Sequence, residues 1–201
     1  MMVRNVQLLK GVPFDDYLKL PGWSYSGIKG TKIEPTPKMG IGTAVHNYLL
    51  TPNEFNHDNS LVPALAIELK KILGPLLPFC TPELAVICDL IHEDMIMPYK
   101  GRIDLAVVFE KIGNPLNLVI DIKITELDTR KGIDFFGYDK QLNGYSLAIG
   151  AARRVIVSVN PNKLAKRQVA TQVIPIARDI RFWEQAVLKL GKPITHNYLI
   201  H

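Results

Sequence analysis

Apolar and polar positions change rhythm along the chain, and the changes mark its elements. After Pro82 come three strand-length runs: Glu83 to Leu90 (ELAVICDL), Tyr99 to Phe109, and Leu116 to Thr125. Gly113-Asn114-Pro115 separates the last two, which predicts an antiparallel hairpin. The stretch from about Phe135 to Gly150 predicts a helix. Arg154 to Val159 (RVIVSV) reads as a buried strand, Gln168 to Ile176 as another, and Asp179 to Leu190 as a closing helix. Upstream, Ala44, Val45, Tyr48, Leu49 and Leu50 suit a short helix ended by Thr51-Pro52. Ala64 to Leu73, between Pro63 and Gly74-Pro75, suits a second, imperfectly amphipathic one. The first forty residues hold Pro21-Gly22, Gly27, Gly30, Pro35 and Pro37 and read as irregular. There is no internal repeat and no low-complexity tract. Strands, a helix, two strands and a helix describe an α/β domain with a mixed sheet. We expect one domain over 1–201: an irregular segment 1–40, a core 41–160, and a strand and helix in 161–201.

Composition narrows the class. With 201 residues, 47% hydrophobic and 21% charged, the chain can build a compact core. No apolar run approaches the roughly 18–20 residues that cross a bilayer, and Met1 to Lys10 lacks the apolar stretch and cleavage site of a secretory signal. Cys80 and Cys88 are the only cysteines. They cannot form a disulfide framework, nor alone ligate an iron–sulfur cluster or a Cys-only zinc site, and they point to a reducing, cytosolic setting. The net charge of +5, with 24 basic against 19 acidic residues, permits a polyanionic partner without demanding one.

The chemistry gathers in the predicted hairpin. In Leu118-Val119-Ile120-Asp121-Ile122-Lys123-Ile124-Thr125, alternation places Leu118, Ile120, Ile122 and Ile124 on one face and Asp121, Lys123 and Thr125 on the other. A turn centred near Gly113 sets Asp104 opposite residue 122, give or take one, and so beside Asp121 or Lys123. Cross-strand neighbours lie about 5 Å apart. Two carboxylates that close repel unless a cation lies between them, and hard oxygen donors favour Mg²⁺ or Mn²⁺. Read alone, the same Asp-x-Lys pattern is that of an ordinary salt bridge in the hairpin, Asp104 or Asp121 to Lys123. Two further features keep it company: His46 near the start of a predicted helix, and Gln141 and Tyr145 four apart on one helix face.

Together and in order, Gly42-Thr43-Ala44-Val45-His46, Gly101-Arg102-Ile103-Asp104, Asp121-Ile122-Lys123 and Gln141-Leu142-Asn143-Gly144-Tyr145 resemble the signature of the PD-(D/E)xK nuclease superfamily in its RecB-like branch. Within that branch the chain is most similar to phage exonucleases of the RecE (exodeoxyribonuclease VIII) type, over about residues 23 to 160. Trp23 to Gly30 (WSYSGIKG) is similar to the opening segment of that family.

The resemblance implies a restriction-endonuclease-like fold, a central mixed sheet flanked by helices. It implies a Mg²⁺- or Mn²⁺-dependent exonuclease that resects double-stranded DNA from a free end, 5′ to 3′, in phage-type recombination. The alternatives are a structure-directed endonuclease with the same metal site and a non-catalytic DNA-binding or assembly protein. Asp104, Asp121, the Ile122 carbonyl and His46 would hold the metal. Lys123 would position or activate water, Gln141 would orient the lysine or touch the DNA backbone, and Tyr145 would support it. Glu83 matches a glutamate often found at its place and either reaches the metal through water or is a surface strand-end residue. A single-strand annealing partner, a homo-oligomer and residence in the cytoplasm, away from membranes, are also implied. The scarcity of cysteine excludes the iron–sulfur relatives. Asp121 stands where glutamate is commoner.

Basic residues offer phosphate contacts: Arg153-Arg154, Lys163, Lys166, Arg167, Arg178 and Arg181 late in the chain, and Lys29, Lys32 and Lys38 early. Ser26 and Lys29 are candidates for gripping a terminal phosphate, with Arg102, Lys166 and Arg167 as further DNA contacts. Trp23 or Tyr25 either stacks on a base or packs internally; Phe182 and Trp183 read as core. His57, His92, His196 and His201 match no motif.

Overall fold

The computed structural model describes residues 1–30, 37–50 and 61–195. Within them a mixed sheet carries β1 (Met2–Leu9), β2 (Thr81–His92), β3 (Met95–Val107), β4 (Leu118–Ile124), β5 (Arg153–Val159), β6 (Thr171–Pro175) and the short β7 (Lys192–Pro193). Its order is β1-β2-β3-β4-β5-β6, with β7 paired to β3. Only β4 and β5 run parallel among these pairs. The helices are α1 (Phe14–Lys19), α2 (Tyr25–Lys29), α3 (Pro37–Leu50), α4 (Leu61–Leu73), α5 (Thr129–Phe136), α6 (Tyr138–Ile149), α7 (Pro161–Ala165) and α8 (Arg181–Leu190).

Two cores lie one on each face of the sheet, set by alternation along the strands except in β3, where Ile103 and Leu105 fall in different cores. Leu105, Ile120, Ile122, Val157 and Val159 pack against Val45 and Leu49 of α3 and Leu65, Leu69 and Leu73 of α4. Leu84, Val86, Tyr99, Ile103 and Val119 pack on the other face against Leu142 and Ala148 of α6 and Trp183 and Val187 of α8. The result is an α/β protein whose mixed sheet is flanked by helices, consistent with a restriction-endonuclease-like core. The expected two-faced reading of β4 holds, and Asp121 projects toward α6. Among the described residues no helix is long and apolar enough to cross a membrane.

The described residues among the first forty depart from expectation: they form β1, α1, α2 and the start of α3. In β1, Asn5 has φ 54° and the register on β2 shifts between Arg4 and Gln7, which breaks the alternation that would have marked a strand. Helices α1 and α2 span only 6 and 5 residues, too short to show a period. Helix α2 does carry local signals, with Ser24 accepting from the Gly27 amide and Gly30 closing it in the left-handed region. Strands β2 and β3 are longer than predicted and form their own hairpin across Glu93-Asp94, because Pro98 in β3 hides its continuity. The single helix expected near 135–150 is two, α5 and α6, broken at Gly137 with φ 70°. A Cβ there would lie 1.9 Å from the Tyr25 hydroxyl, which donates to the Phe136 carbonyl at 3.0 Å. Thr51-Pro52 lies outside the described residues, as do Lys32, His57, His196 and His201, and nothing is described of the Lys38 side chain.

Candidate metal centre

The site begins where two paired strands part. Pairing of β3 with β4 runs from Val107↔Leu118 to Leu105↔Ile120 and stops. The next step would set Asp104 opposite Asp121. Instead the Asp104 Oδ2 accepts the Ile122 backbone N–H at 2.7 Å, so a side chain bridges the gap. A carboxylate is therefore held at the split by a hydrogen bond to the strand that carries Asp121 and Lys123.

Glu83 on β2 faces the same point. The pairs Pro82↔Leu105 and Leu84↔Ile103 flank it, which places it across from Asp104. Its own φ is 49°, in the left-handed region. Such a conformation costs on the order of 1–3 kcal/mol in a non-glycine residue and gathers at functional sites. On the other side α3 supplies His46. Its Nε2 lies 3.1 Å from the Ile122 carbonyl oxygen, hydrogen-bonding distance for a donating ring nitrogen. The same nitrogen is 3.9 Å from Asp104 Oδ2, and Nδ1 is 4.0 Å from Glu83 Oε1. One ligand atom from each of His46, Glu83 and Asp104 lies within 4.8 Å of the others, and all three residues are half-buried.

Asp121 is only 1% exposed. Lys123 Nζ donates to its Oδ1 at 3.0 Å and lies 2.8 Å from Oδ2, which accepts no hydrogen bond. The ammonium also sits 4.6 Å from the centre of the Tyr138 ring. Gln141 Nε2 donates to the Tyr145 hydroxyl at 2.6 Å, forming one wall. Arg102 Nε lies 2.6 Å from Glu83 Oε2. His46, Asp104, Asp121, Lys123, Gln141 and Tyr145 line one open cleft of about 470 Å³, together with Glu83, Arg102 and Ser26.

Burial first, and neighbouring carboxylates second, shift the titration of the groups. Burial pushes Glu83 up, and Asp104 adds repulsion that Arg102 and His46 oppose. Burial carries Asp121 up to about 6; Lys123 opposes this and Asp104 reinforces it. Burial alone would lower Lys123, but the Asp121 and Asp104 carboxylates more than offset it and raise its pKa. Both acids and the lysine thus hold protons more tightly than in water. A divalent cation would relieve that repulsion.

The residues fit such a cation. Carboxylate oxygens suit hard cations such as Mg²⁺ or Mn²⁺, the imidazole nitrogen suits a softer transition metal, and the mixed set fits a divalent cation without selecting one. Asp121 Oδ2 is a buried acceptor with no hydrogen bond beyond its ion pair with Lys123. His46, Glu83 and Asp104, whose ligand atoms cluster, would hold the ion. Asp121, paired with Lys123 beside them, would complete the set on turning from the lysine, with the Ile122 carbonyl, now facing His46, as a further oxygen. One expectation is a pH window. A protonated acid cannot ligate, and Asp121 ionises only as pH rises through about 6. Mn²⁺ affinity followed by calorimetry should therefore be full near pH 8 and fall at least about tenfold per pH unit below about 6, as protons on Asp121 and the other ligands compete with the metal. An affinity flat from pH 5 to 8 would exclude Asp121 from the ligand set.

Other sequence candidates fall elsewhere. Lys29 donates to the Phe136 carbonyl at 3.3 Å and does not line the cleft. Lys166 caps α7 and Arg167 follows it, and neither lines the cleft. Trp23 is exposed and bridges to Tyr99, the Tyr25 hydroxyl is engaged at Phe136, and Trp183 is buried core. Cys88 is buried in the core, where its thiol is pushed up to about 12. Sequence reading missed Tyr138, Lys100, and Phe14 and Tyr17 of α1. Tyr138 had a signal: it lies three residues before Gln141 and seven before Tyr145, on the same helical face.

No protein-family model matches this chain, and no curated protein sequence matches it. Among solved structures, the crystal structure of SSO0001 superposes with a TM-score of 0.40 at 16% identity, covering 85% of each chain. That likeness is too distant to bear on function.

Proposed function

We propose that the chain is a divalent-metal-dependent DNA nuclease, an exonuclease that hydrolyses phosphodiester bonds from the ends of double-stranded DNA. One observation carries this reading. Residues spread over α3, β2, β3, β4 and α6 converge on one cleft with the parts that metal-assisted phosphodiester hydrolysis requires. Three carboxylates and an imidazole would hold the ion, and a lysine stands among them. When bound, Mg²⁺ or Mn²⁺ would supply charge neutralisation at the phosphoryl oxygens and a lowered pKa for an attacking water. The chain's own residues do the rest. Lys123, kept protonated by its acidic neighbours, offers a cation where charge grows on the phosphate. Asp104 ties the ligand set to β4 through the Ile122 amide. The Gln141–Tyr145 pair lines the wall beside the lysine.

The duplex substrate, the end-directed mode, polarity, a phage recombination role, a homo-oligomer, an annealing partner and cytoplasmic residence rest on the resemblance alone. The test uses two forms of DNA. A linear duplex with Mg²⁺ or Mn²⁺ should shorten from its ends and be protected by a chelator, while a covalently closed circle stays intact. Cutting of the circle would replace the end-directed reading with an endonuclease on the same site. An untouched linear duplex with either ion would overturn the nuclease reading.

A further inference from the structure

We infer that Phe14 is a stacking platform for the nucleobase adjoining the phosphodiester held at the metal centre; the inference rests on the nuclease reading above. Phe14 lines the cleft and is 54% exposed. A large apolar ring left that open forfeits burial free energy, yet two neighbours fix it in place while more than half of it stays exposed. Tyr17, one turn on and buried, stacks on it with ring centres 6.2 Å apart and planes 27° apart. The Arg102 guanidinium carbon lies 5.2 Å from its ring centre. Helix α1 itself is pinned. Lys100 Nζ donates to the Leu18 carbonyl at 2.8 Å and the Leu20 carbonyl at 2.7 Å, and sits 5.4 Å from the centre of the Tyr17 ring. The rim that carries Phe14 is thereby built rigidly onto β3.

The same Arg102 reaches Glu83 at 2.6 Å, so a single guanidinium separates the ring from the candidate ligands. An aromatic ring with a cation on it, one side chain away from a phosphate-holding centre, matches the flat face of a base. Every base has such a face, so the contact would be tolerant of sequence. Phe79, Phe109 and Phe135 are also exposed, but none of them lines the cleft.

The test is a binding assay in Ca²⁺, chosen to hold DNA without turnover. A short linear duplex carries one abasic nucleotide, walked through the four terminal positions of either strand. The wild type should lose about 5- to 150-fold in affinity at one position, the range of a single base–aromatic stack. Phe14→Leu keeps the apolar bulk without the flat face, should melt as the wild type does, and should lose that positional gap. Phe14→Trp should keep it. A wild type indifferent to the abasic site everywhere, or a Phe14→Leu protein that retains the gap, overturns the inference. Digestion of the same duplex in Mg²⁺ separates the two readings: cleavage without base dependence removes the platform alone, and base dependence without cleavage removes the nuclease alone.

Discussion

Asp104→Asn is expected to lower metal-dependent cleavage of linear DNA by at least about a thousandfold, on the order of 4 kcal/mol of transition-state stabilisation, with the fold retained. Asp104 has a structural and an electrostatic duty, and asparagine separates them. Its Oδ2 accepts the Ile122 amide at 2.7 Å, which an amide oxygen can also do, so the split between β3 and β4 should survive. The charge cannot be replaced. It stands 3.9 Å from His46 Nε2 and raises the proton affinity of Glu83, Asp121 and Lys123 together. Neutralising it removes a ligand and relaxes the repulsion that calls for a cation. Mn²⁺ affinity by calorimetry should fall with kcat/KM, while the urea midpoint stays near the wild-type value. Cleavage within tenfold of wild type would remove Asp104 from the chemistry.

How far the sequence could be read depended on whether backbone conformation follows a period. Strand β4 was legible because both of its faces are buried in the regular way: Ile120 and Ile122 enter one core, while Asp121 and Lys123 point to the other side. The turn at Gly113 brought the register within one residue of the observed Leu105↔Ile120 pairing. What the period could not show is that the ladder ends there, with the Asp104 carboxylate taking the next amide. Two partners for Lys123 were open from the sequence; the structure gives it Asp121. Glu83 was open between metal and surface. Its place beside His46 and Asp104 follows from one φ of 49° inside a strand, which no residue pattern announces. The cleft wall made by α1 was illegible for a related reason. A six-residue helix has no measurable period, and the contact that fixes it, Lys100 on the Leu18 and Leu20 carbonyls, joins residues about eighty apart. The break at Gly137 was visible as a glycine, but its necessity comes from the Tyr25 hydroxyl against it.

Lys123→Met should produce two separable losses, one of stability and one of activity. The substitution keeps much of the buried stem and removes the ammonium, leaving Asp121, 1% exposed, without its cation. Breaking a buried pair in this way costs about 3–5 kcal/mol when the remaining charge stays ionised. The sign of its pH dependence follows. In the wild type Asp121 is already raised to about 6; without Lys123, whose charge opposes the rise, it must climb higher. A carboxyl raised in the folded state contributes stability at low pH that is lost as pH rises through its folded pKa. Between that higher value and about pH 6 only the variant gains stability as pH falls, by about 1.4 kcal/mol per unit. The deficit measured by urea unfolding should therefore be largest at pH 8 and shrink toward pH 6. Added Mn²⁺ should stabilise the variant more than the wild type, since the ion would replace the missing positive charge. Cleavage assayed in that Mn²⁺-stabilised state should remain down by about 10²–10⁴-fold, because a restored fold does not restore the cation that meets charge on the phosphate. Equal deficits at pH 6 and pH 8 would place Asp121 outside the charge balance described, and recovery of cleavage with Mn²⁺ would make Lys123 a structural residue only.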